Sequence, residues 1–221
     1  LYDLENIDLH GGAGIFEPQG RNTAAAVAVA AQVALDQGDH LALVVPSDHE
    51  ITTTANFWET IESGVEAAKA GRIVVFGIPP AHPETGYGYI EAGSATAGRE
   101  DRDVRRFVEK PDSQKAESYL AAGNYYWNAG IFLFRGSVMR DAFLAHAPDI
   151  WSAVENAMAG AERDETGLYL PEAEYSGIRS ESVDVAIMEK MAEISVVPAR
   201  FEWSDLGSWQ SLLEVSPTDQ D

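Results

Sequence analysis

Two short, continuous apolar runs with a helical segment between them constrain the fold of this chain more than any other feature. The runs cover residues 41–45 and 73–76, and residues 55–70 between them are predicted as a helix that Thr54 caps and Gly71 ends. Continuous apolar runs of this length are typical of strands buried on both faces. Strand, helix and strand in this order indicate right-handed crossover units. The predicted fold class is therefore α/β, with a mixed, mostly parallel sheet flanked by helices.

Further elements continue this alternation along the chain. The other predicted strands cover residues 89–90, 104–108, 130–134 and 194–197. The other predicted helices cover residues 23–37 (capped by Asn22 and stopped by Gly38), 113–122, 137–146, 149–158, 183–191 and 207–214. The first of these is rich in alanine, which predicts close packing against a sheet. No repeat, linker or low-complexity stretch is evident, so residues 1–215 are predicted as one domain and residues 216–221 as a polar tail.

Charge and composition exclude several classes of partner. A formal net charge of −21 argues against a nucleic-acid surface, which needs a basic stripe to neutralise phosphates. No apolar run approaches the ~20 residues that span a bilayer, so no membrane partner is expected. The absence of cysteine removes disulfides and thiolate metal ligands, and it fits the cytoplasmic location that we predict. A homo-oligomer is compatible with this composition.

Two acidic turns follow strand-like runs at distant points of the chain. Asp48, in the turn at 46–49, follows the apolar run at 41–45, and Asp205, in the segment 201–209, follows the run at 194–197. Ligands of α/β domains collect beyond the carboxyl ends of strands. Two aspartates that meet there would form a hard oxygen site for a divalent cation and the phosphates it carries. The alternative is that each aspartate only forms a turn or caps a helix.

A polar stretch at residues 17–24 joins a loop to the start of the first helix. Exposed N–H groups at such a helix start suit an anion, and Arg21 could pair with a phosphate. Glu17 and Asn22 carry the acceptor and amide groups that read a purine edge. An ordinary helix cap with a surface arginine explains the same residues.

Three further motifs have both a functional and a structural interpretation. The glycine-spaced aromatic turn at 83–89 could admit a ligand close to the backbone, or it could be a hairpin turn with packed tyrosines. Lys110 could bind a phosphate while Glu109 accepts sugar hydroxyl hydrogens, or the two could form a solvated salt bridge. Asn128, among aromatic residues, needs hydrogen-bond partners that either a ligand or the backbone could supply. The histidines show no metal-ligand spacing.

The order of these motifs resembles that of the mannose-1-phosphate guanylyltransferases, also called GDP-mannose pyrophosphorylases, of the bacterial type. The matching segments lie within residues 15–215 and cover 17–24, 46–49, 76–79, 84–89, 107–111, 127–132, 182–184, 188–190 (Met-Glu-Lys) and 203–209. The resemblance implies a Rossmann-like nucleotide-diphospho-sugar transferase fold. It also implies transfer of GMP from GTP to mannose 1-phosphate, which gives GDP-mannose and pyrophosphate, with Mg²⁺ as cofactor.

The resemblance assigns roles to residues that match the family motifs. Asp48 and Asp205 would be metal ligands and, with Lys110 on the sugar phosphate, the catalytic residues. The nucleotide would be bound by Glu17, Arg21, Asn22 and Thr23, and the sugar by Gly88, Glu109, Asn128 and Asp184. Because the sugar phosphate is itself the nucleophile, the site needs positioning and charge neutralisation, not a protein nucleophile.

The chain departs from the family pattern near its start. The family's glycine-rich loop, with its arginine and lysine, precedes the matched region, and residues 1–16 do not resemble it. We therefore expect an N-terminally truncated domain without the first strands and the phosphate loop, and little or no activity from this chain alone. Two alternatives stay open: a nucleotidyltransferase with another sugar 1-phosphate, and a non-catalytic sugar-nucleotide-binding subunit.

Overall fold

A computed structural model of the chain describes residues 14–95 and 98–207. The helices are α1 Asn22–Asp36, α2 Thr54–Lys69, α3 Ser113–Ala122, α4 Gly136–His146, α5 Pro148–Ala159 and α6 Glu172–Tyr175, followed by a π-helical segment at Asp184–Met188. The strands are β1 Gly14–Phe16, β2 Leu41–Val44, β3 Glu50–Ile51, β4 Ile73–Ile78, β5 Tyr89–Ala92, β6 Arg102–Val108, β7 Tyr125–Arg135, β8 Glu162–Arg163, β9 Gly167–Tyr169, β10 Ile194–Pro198 and β11 Trp203–Ser204.

The main sheet has six strands in the order β2-β7-β4-β10-β6-β5, with a further pairing of β7 with β5. The long strand β7 pairs along one edge with β4, and its other edge is shared by β5 near Trp127 and by β2 near Phe132. Strand β7 is therefore hydrogen-bonded to three other strands, β2, β4 and β5. Two small sheets, β1-β9-β8 and β11-β3, complete the strand pairing of the described residues.

The α/β class with a mixed sheet flanked by helices is confirmed, but the prediction of mostly parallel strands is wrong. Among the described residues, only β4 and β10 pair in parallel within the main sheet, and its other five pairings are antiparallel. The strands on either side of α2 do run in the same direction, because β2 and β4 are both antiparallel to β7. The predicted crossover thus gives the relative direction of β2 and β4 correctly. The two strands are not neighbours, because β7 lies between them.

Helices cover both faces of this sheet. One apolar cluster joins α1, α4 and α5 to one face, which includes Val75, and a second joins α2 and α3 to the other face, which includes Val74. Successive residues of β4 thus point into different clusters, and the whole strand is buried, as its apolar run predicts. The alanine-rich α1 packs closely with α4, since a β-carbon on Gly136 would lie 2.8 Å from the carbonyl oxygen of Ala31.

Strand β2 is only half-buried, in contrast to the prediction of burial on both faces. Within the described part of the chain it pairs with β7 alone, so its other edge has no hydrogen-bonded neighbour there. Val45, which directly follows it, is 47% exposed. The apolar run therefore predicts the strand correctly, but burial depends on neighbours that the run does not specify.

The helices at 23–37, 55–70, 113–122, 137–146 and 149–158 are confirmed to within one or two residues. The segment predicted as a helix at 183–191 contains the π-helical turn Asp184–Met188. The strands of two or three residues were not predicted, because such segments are too short to show an apolar period. The predicted helix at 207–214 lies, apart from its first residue, outside the described residues. No helix of residues 14–95 or 98–207 is long and apolar enough to cross a membrane.

Candidate functional site

The two acidic turns are brought together by a short antiparallel ladder. Ile51 pairs with Trp203 and Glu50 pairs with Ser204, so that β3 and β11 run side by side. Continued by one residue, this register sets Asp205 across from His49, the residue that follows Asp48. Two segments about 150 residues apart in sequence thus become neighbours, a point that the sequence left open.

The two carboxylates have different surroundings. The side chain of Asp48 is 84% exposed, and its Oδ1 lies 4.0 Å from Nε2 of His49. The carboxylate of Asp205 is fixed, because its Oδ1 accepts hydrogen bonds from the hydroxyl of Tyr87 at 2.8 Å and from the N–H of Gly207 at 2.9 Å. One ligand candidate is therefore open to solvent and the other is oriented by the protein.

A series of edge-to-face aromatic contacts connects β7 with these turns. Ring centroids are 5.0 Å apart for His82 and Trp127, 5.3 Å for Trp127 and Tyr87, 5.4 Å for Tyr87 and Trp203, and 5.2 Å for Trp203 and His49. The indole N–H of Trp203 also donates to Nδ1 of His49 at 3.1 Å. A neutral His49 therefore carries its proton on Nε2, the nitrogen that faces Asp48.

The four residues expected to bind the sugar lie together. A β-carbon on Gly88 would lie 2.8 Å from Oε2 of Glu109 and 3.5 Å from Cβ of Asn128. The side-chain amide of Asn128 donates to Oδ1 of Asp184 at 2.9 Å, and its backbone N–H donates to the carbonyl of Gly88 at 2.8 Å. The amide oxygen of Asn128 accepts from the N–H of Gly130 at 3.1 Å. The backbone therefore satisfies one end of this amide and Asp184 the other.

Negative charge is concentrated in this cluster. Burial first, and then the nearby charge of Glu109, raise the pKa of Asp184 to about 6. Glu189, which also disfavours ionisation of Asp184, accepts from the backbone N–H of Glu109 at 3.4 Å. Nζ of Lys110 lies 3.0 Å from Oε1 of Glu109. The salt bridge between Lys110 and Glu109, one of the two interpretations of the sequence, is therefore present. It lies at the edge of a site whose carboxylates can accept hydrogen bonds from hydroxyl groups.

The acidic turn at 46–49 packs against β7 close to this cluster. A β-carbon on Gly130 would lie 3.4 Å from Cγ of Pro46 and 3.8 Å from Cε1 of His49. Gly130 also has a φ of +69°, which a residue with a side chain rarely adopts. Because Gly130 is two residues from Asn128, the expected sugar residues and the first acidic turn share one short stretch of β7.

The stretch at 17–24 is held by the chain segment that leads to Asp184. Glu17 accepts from the hydroxyl of Tyr175, whose pKa burial raises, and Arg21 donates to the carbonyl of Ser176. The hydroxyl of Thr23 accepts from the N–H of Val183 at 2.9 Å. Arg21 is half-buried, so it is not the surface arginine of the alternative interpretation.

Asn22 begins α1 and does not form the conventional cap. Its φ is +63°, and its side-chain oxygen accepts from the N–H of the next residue, Thr23, at 2.8 Å. Both side chains are exposed and adjoin the helix start, which suits an anion.

Backbone strain is concentrated at the site. Of the four non-glycine residues described with positive φ, three adjoin or belong to site motifs: Asn22, Lys110 at +44° and Leu206 at +51°. Each such conformation costs on the order of 1–3 kcal/mol and persists only where the surrounding structure determines it. Lys110 follows Glu109 and Leu206 follows Asp205, so both strained residues are next to site carboxylates.

Several contributors were not predicted as site residues. Tyr87 and Trp203 stand inside predicted motifs, but only the fold shows that they contact Asp205 and His49. Glu189 lies in the Met-Glu-Lys stretch of the family resemblance, whereas no sequence signal marks Tyr175 as the partner of Glu17. A cleft of about 870 Å³ is lined by α2 and residues 98–101, with Arg72, Glu193 and Arg200, and holds none of the predicted site residues.

Without substrate, the side chains of this site supply only some of the ligands that a magnesium ion needs. No group of three or more His, Cys, Asp or Glu side chains within residues 14–95 and 98–207 is arranged to hold a metal. Two carboxylates are nevertheless the usual protein share of a Mg²⁺ site, because this ion keeps several waters and binds substrate phosphates. Asp48 and Asp205 fit that pattern as hard oxygen donors.

Comparisons with known proteins identify a family and several relatives of the chain. The nucleotidyl transferase family profile matches residues 11–221. The xanthan biosynthesis protein XanB of Xanthomonas campestris pv. campestris (strain B100) is 45% identical over 217 residues, which cover 98% of this chain and 46% of that protein. A mannose-1-phosphate guanylyltransferase of Escherichia coli (strain K12) is 43% identical over 208 residues, 91% of this chain and 44% of that protein.

A solved structure is also similar. It is described as a mannose-1-phosphate geranyltransferase from Thermus thermophilus, and it superposes with a TM-score of 0.82 at 36% identity, covering 92% of this chain and 58% of that one. The present chain spans less than half the length of the two curated relatives named above.

Proposed function

Because the chain belongs to the nucleotidyl transferase family, we propose that its site serves the transfer of GMP from GTP to mannose 1-phosphate, giving GDP-mannose and pyrophosphate. The observation that carries this proposal is the meeting of two acidic turns and a polar sugar-type cluster on one stretch of β7. The names of the relatives, a mannose-1-phosphate guanylyltransferase among them, support the choice of substrates.

The sugar end of the site is formed by acceptors. Glu109 and Asp184 offer carboxylate oxygens to hydroxyl hydrogens, and Asn128, which hydrogen-bonds to Asp184, orients that carboxylate. The missing side chain of Gly88 leaves room beside Oε2 of Glu109. Lys110, next in the chain, supplies the positive charge that a sugar 1-phosphate requires. We infer that this cluster holds the mannose and orients its phosphate.

The opposite end of the site holds the nucleotide phosphates. Asp48 and Asp205 would bind Mg²⁺, which when present neutralises phosphate charge that develops during transfer. The exposed Asn22 and Thr23 at the start of α1 offer N–H and hydroxyl groups to the nucleotide. Glu17 and Arg21 can contact the nucleotide only if they give up their hydrogen bonds to Tyr175 and Ser176. We therefore assign them to this region by resemblance.

The chemistry needs few protein groups beyond these. The mannose 1-phosphate oxygen attacks the α-phosphorus of GTP and pyrophosphate leaves, so no side chain has to act as nucleophile. The chain's residues orient two anions against each other and reduce their repulsion.

Turnover by the full-length protein tests the proposal. GDP-mannose formed from mannose 1-phosphate is measured with GTP, ATP, UTP and dTTP, and GTP is expected to be preferred. Asp48→Asn and Asp205→Asn should each lower kcat at least about 100-fold, since a bound metal contributes several kcal/mol to such transfers. Asp141→Asn, at an exposed position of α4, is the control and should leave kcat unchanged.

Other outcomes would refute parts of the proposal. Equal turnover with a different nucleotide or sugar phosphate would refute the substrate assignment. GDP-mannose binding that needs no Mg²⁺, together with no turnover, would favour the non-catalytic subunit. The 221-residue chain alone should show only a small fraction of the full-length rate, and an equal rate would contradict the expected truncation.

A further inference from the structure

The two oxygens of Asp205 are not equivalent. Oδ1 accepts two hydrogen bonds, from the hydroxyl of Tyr87 at 2.8 Å and from the N–H of Gly207 at 2.9 Å. A carboxylate oxygen has two lone pairs, so these two donors occupy both acceptor positions of Oδ1. A cation that binds Asp205 without displacing Tyr87 or Gly207 therefore has to bind Oδ2.

Gly207 keeps the space beside Oδ2 free. A β-carbon at this position would lie 2.7 Å from Oδ2 and 3.1 Å from Cγ of Asp205, which is closer than such atoms approach one another. No positive φ requires glycine here, so close approach to the carboxylate is the structural reason for it.

Tyr87 is well placed to hold Oδ1 in a fixed position. Its ring lies edge-on between Trp127 and Trp203, with centroids 5.3 and 5.4 Å away. It directly precedes Gly88, whose carbonyl accepts from the N–H of Asn128 in the sugar cluster. The tyrosine is thus packed between two tryptophans and linked to the backbone of the opposite end of the site.

We propose that Tyr87 is a positioning residue that restricts Asp205 to a single metal-binding oxygen. This inference rests on the proposed metal pair and adds how that pair selects its ion. Ca²⁺ takes six to eight oxygens and often both oxygens of one carboxylate, whereas Mg²⁺ requires near-octahedral geometry and keeps its waters. A carboxylate whose Oδ1 is already saturated therefore disfavours Ca²⁺ relative to Mg²⁺.

Mn²⁺ binding by the 221-residue chain tests the proposal without any need for turnover. Free Mn²⁺ is measured by electron paramagnetic resonance, and Mg²⁺ or Ca²⁺ is then added as competitor. Tyr87→Phe keeps the ring contacts and removes only the hydroxyl. We expect it to weaken Mn²⁺ binding about tenfold, as is usual for groups that orient metal ligands, and to shift the competition toward Ca²⁺. A merely structural loss would not change the preference between the two ions.

Two further variants sharpen the test. Tyr89→Phe is the matched control, because the Tyr89 hydroxyl accepts from the backbone N–H of Glu84 in the same turn and contacts no carboxylate among the described residues. It should leave Mn²⁺ binding and the ion preference unchanged. Gly207→Ala crowds Oδ2 and should weaken Mn²⁺ binding even if Tyr87→Phe does not fold.

The outcomes separate this inference from the proposed function. If the wild-type chain binds no Mn²⁺, both the metal pair and the role of Tyr87 are wrong. If Asp205→Asn weakens binding while Tyr87→Phe matches the wild type in affinity and in ion preference, the metal pair stands and the positioning role is refuted. Equal effects of Tyr87→Phe and Tyr89→Phe would also refute it, since the shape of the turn would then be the cause.

Discussion

Replacing Asp184 by asparagine should stabilise the protein, and increasingly so as the pH rises. Burial and the charges of Glu109 and Glu189 raise the pKa of this carboxyl from its ordinary 3.8 to about 6. The folded state therefore binds the proton more tightly than the unfolded state. Stability falls as the pH rises from the unfolded to the folded pKa, because the charge must then be held in the folded state.

The size of the effect follows from the two pKa values. With 3.8 unfolded and about 6 folded, the raised pKa costs about 3 kcal/mol of folding free energy at pH 8, where Asp184 is ionised, and about 1.5 kcal/mol at pH 5, where the folded state has taken up the proton. Asparagine has the same shape, carries no charge, and its oxygen can still accept from the amide of Asn128. The advantage of Asp184→Asn over wild type should therefore grow by about 1.5 kcal/mol between pH 5 and pH 8.

Urea unfolding of both proteins at pH 5 and pH 8, without divalent ions, measures this difference. Asp149→Asn is a control of opposite sign, since the hydrogen bonds and charge of Arg179 lower the pKa of Asp149. Asp149→Asn should lose stability relative to wild type at pH 8 and less at low pH. A constant difference between Asp184→Asn and wild type across the pH range would refute the view that folding raises the pKa of Asp184.

Three further substitutions test other contacts. Gly88→Ala puts a β-carbon 2.8 Å from Oε2 of Glu109 and should raise the KM of the full-length protein for mannose 1-phosphate without changing the KM for GTP. Ser195→Ala removes a buried donor from Asp101 and should lower the free energy of unfolding by about 1–3 kcal/mol in urea titrations. Gly136→Ala forces α4 away from the backbone of α1 and should lower the thermal unfolding temperature, at a cost of about 1–3 kcal/mol.

Each of these substitutions has a contradicting result. An equal rise of both KM values for Gly88→Ala would indicate general damage to the site. Unchanged unfolding of Ser195→Ala would mean that Arg99 and water satisfy Asp101 without the serine. Unchanged unfolding of Gly136→Ala would mean that α1 and α4 separate at little cost.

Local capping signals placed helix boundaries closely, and in one helix to the residue. Helix α3 covers Ser113–Ala122 as predicted, because Asp112 accepts from the N–H of Lys115 and Gly123 ends the helix with a φ of +72°. Capping signals of this kind lie close together in sequence, so they can be recognised without knowledge of the fold.

Strand partners could not be predicted in this way. The run at 130–134 predicts part of β7, but the strand begins at Tyr125, because its first residues pair with β5 and β4. Asn128 and Gly130 interrupt the apolar pattern there. Both are used at the candidate site, so the interruption in the pattern coincides with the residues that contact Asp184 and the turn at 46–49.

At the candidate site, too, local motifs identified residues, whereas the contacts between those residues depend on the fold. The motifs named Asp48, Asp205, Asn128 and Asp184 as site residues, and their individual roles stay predictions. The contacts that join them arise from the ladder of β3 with β11 and from the fold around β7, which no local pattern contains. The partner of Glu17, Tyr175, was missed for the same reason: 158 residues separate the two.

The position of Asn128 and Gly130 on β7 determines how two parts of the candidate site are spaced. The register of β7 with β4 shifts between Asn128 and Phe132, and Gly130 has a φ of +69°, so a bulge places these two residues. The chain itself therefore fixes the distance between Asn128, whose amide contacts Asp184, and Gly130, which contacts the first acidic turn. This distance does not depend on the closing of a loop or domain. Insertion or deletion of one residue in this tripeptide would shift one contact relative to the other, so the cluster around Asn128 and the turn at 46–49 would lose their alignment even if the fold survived.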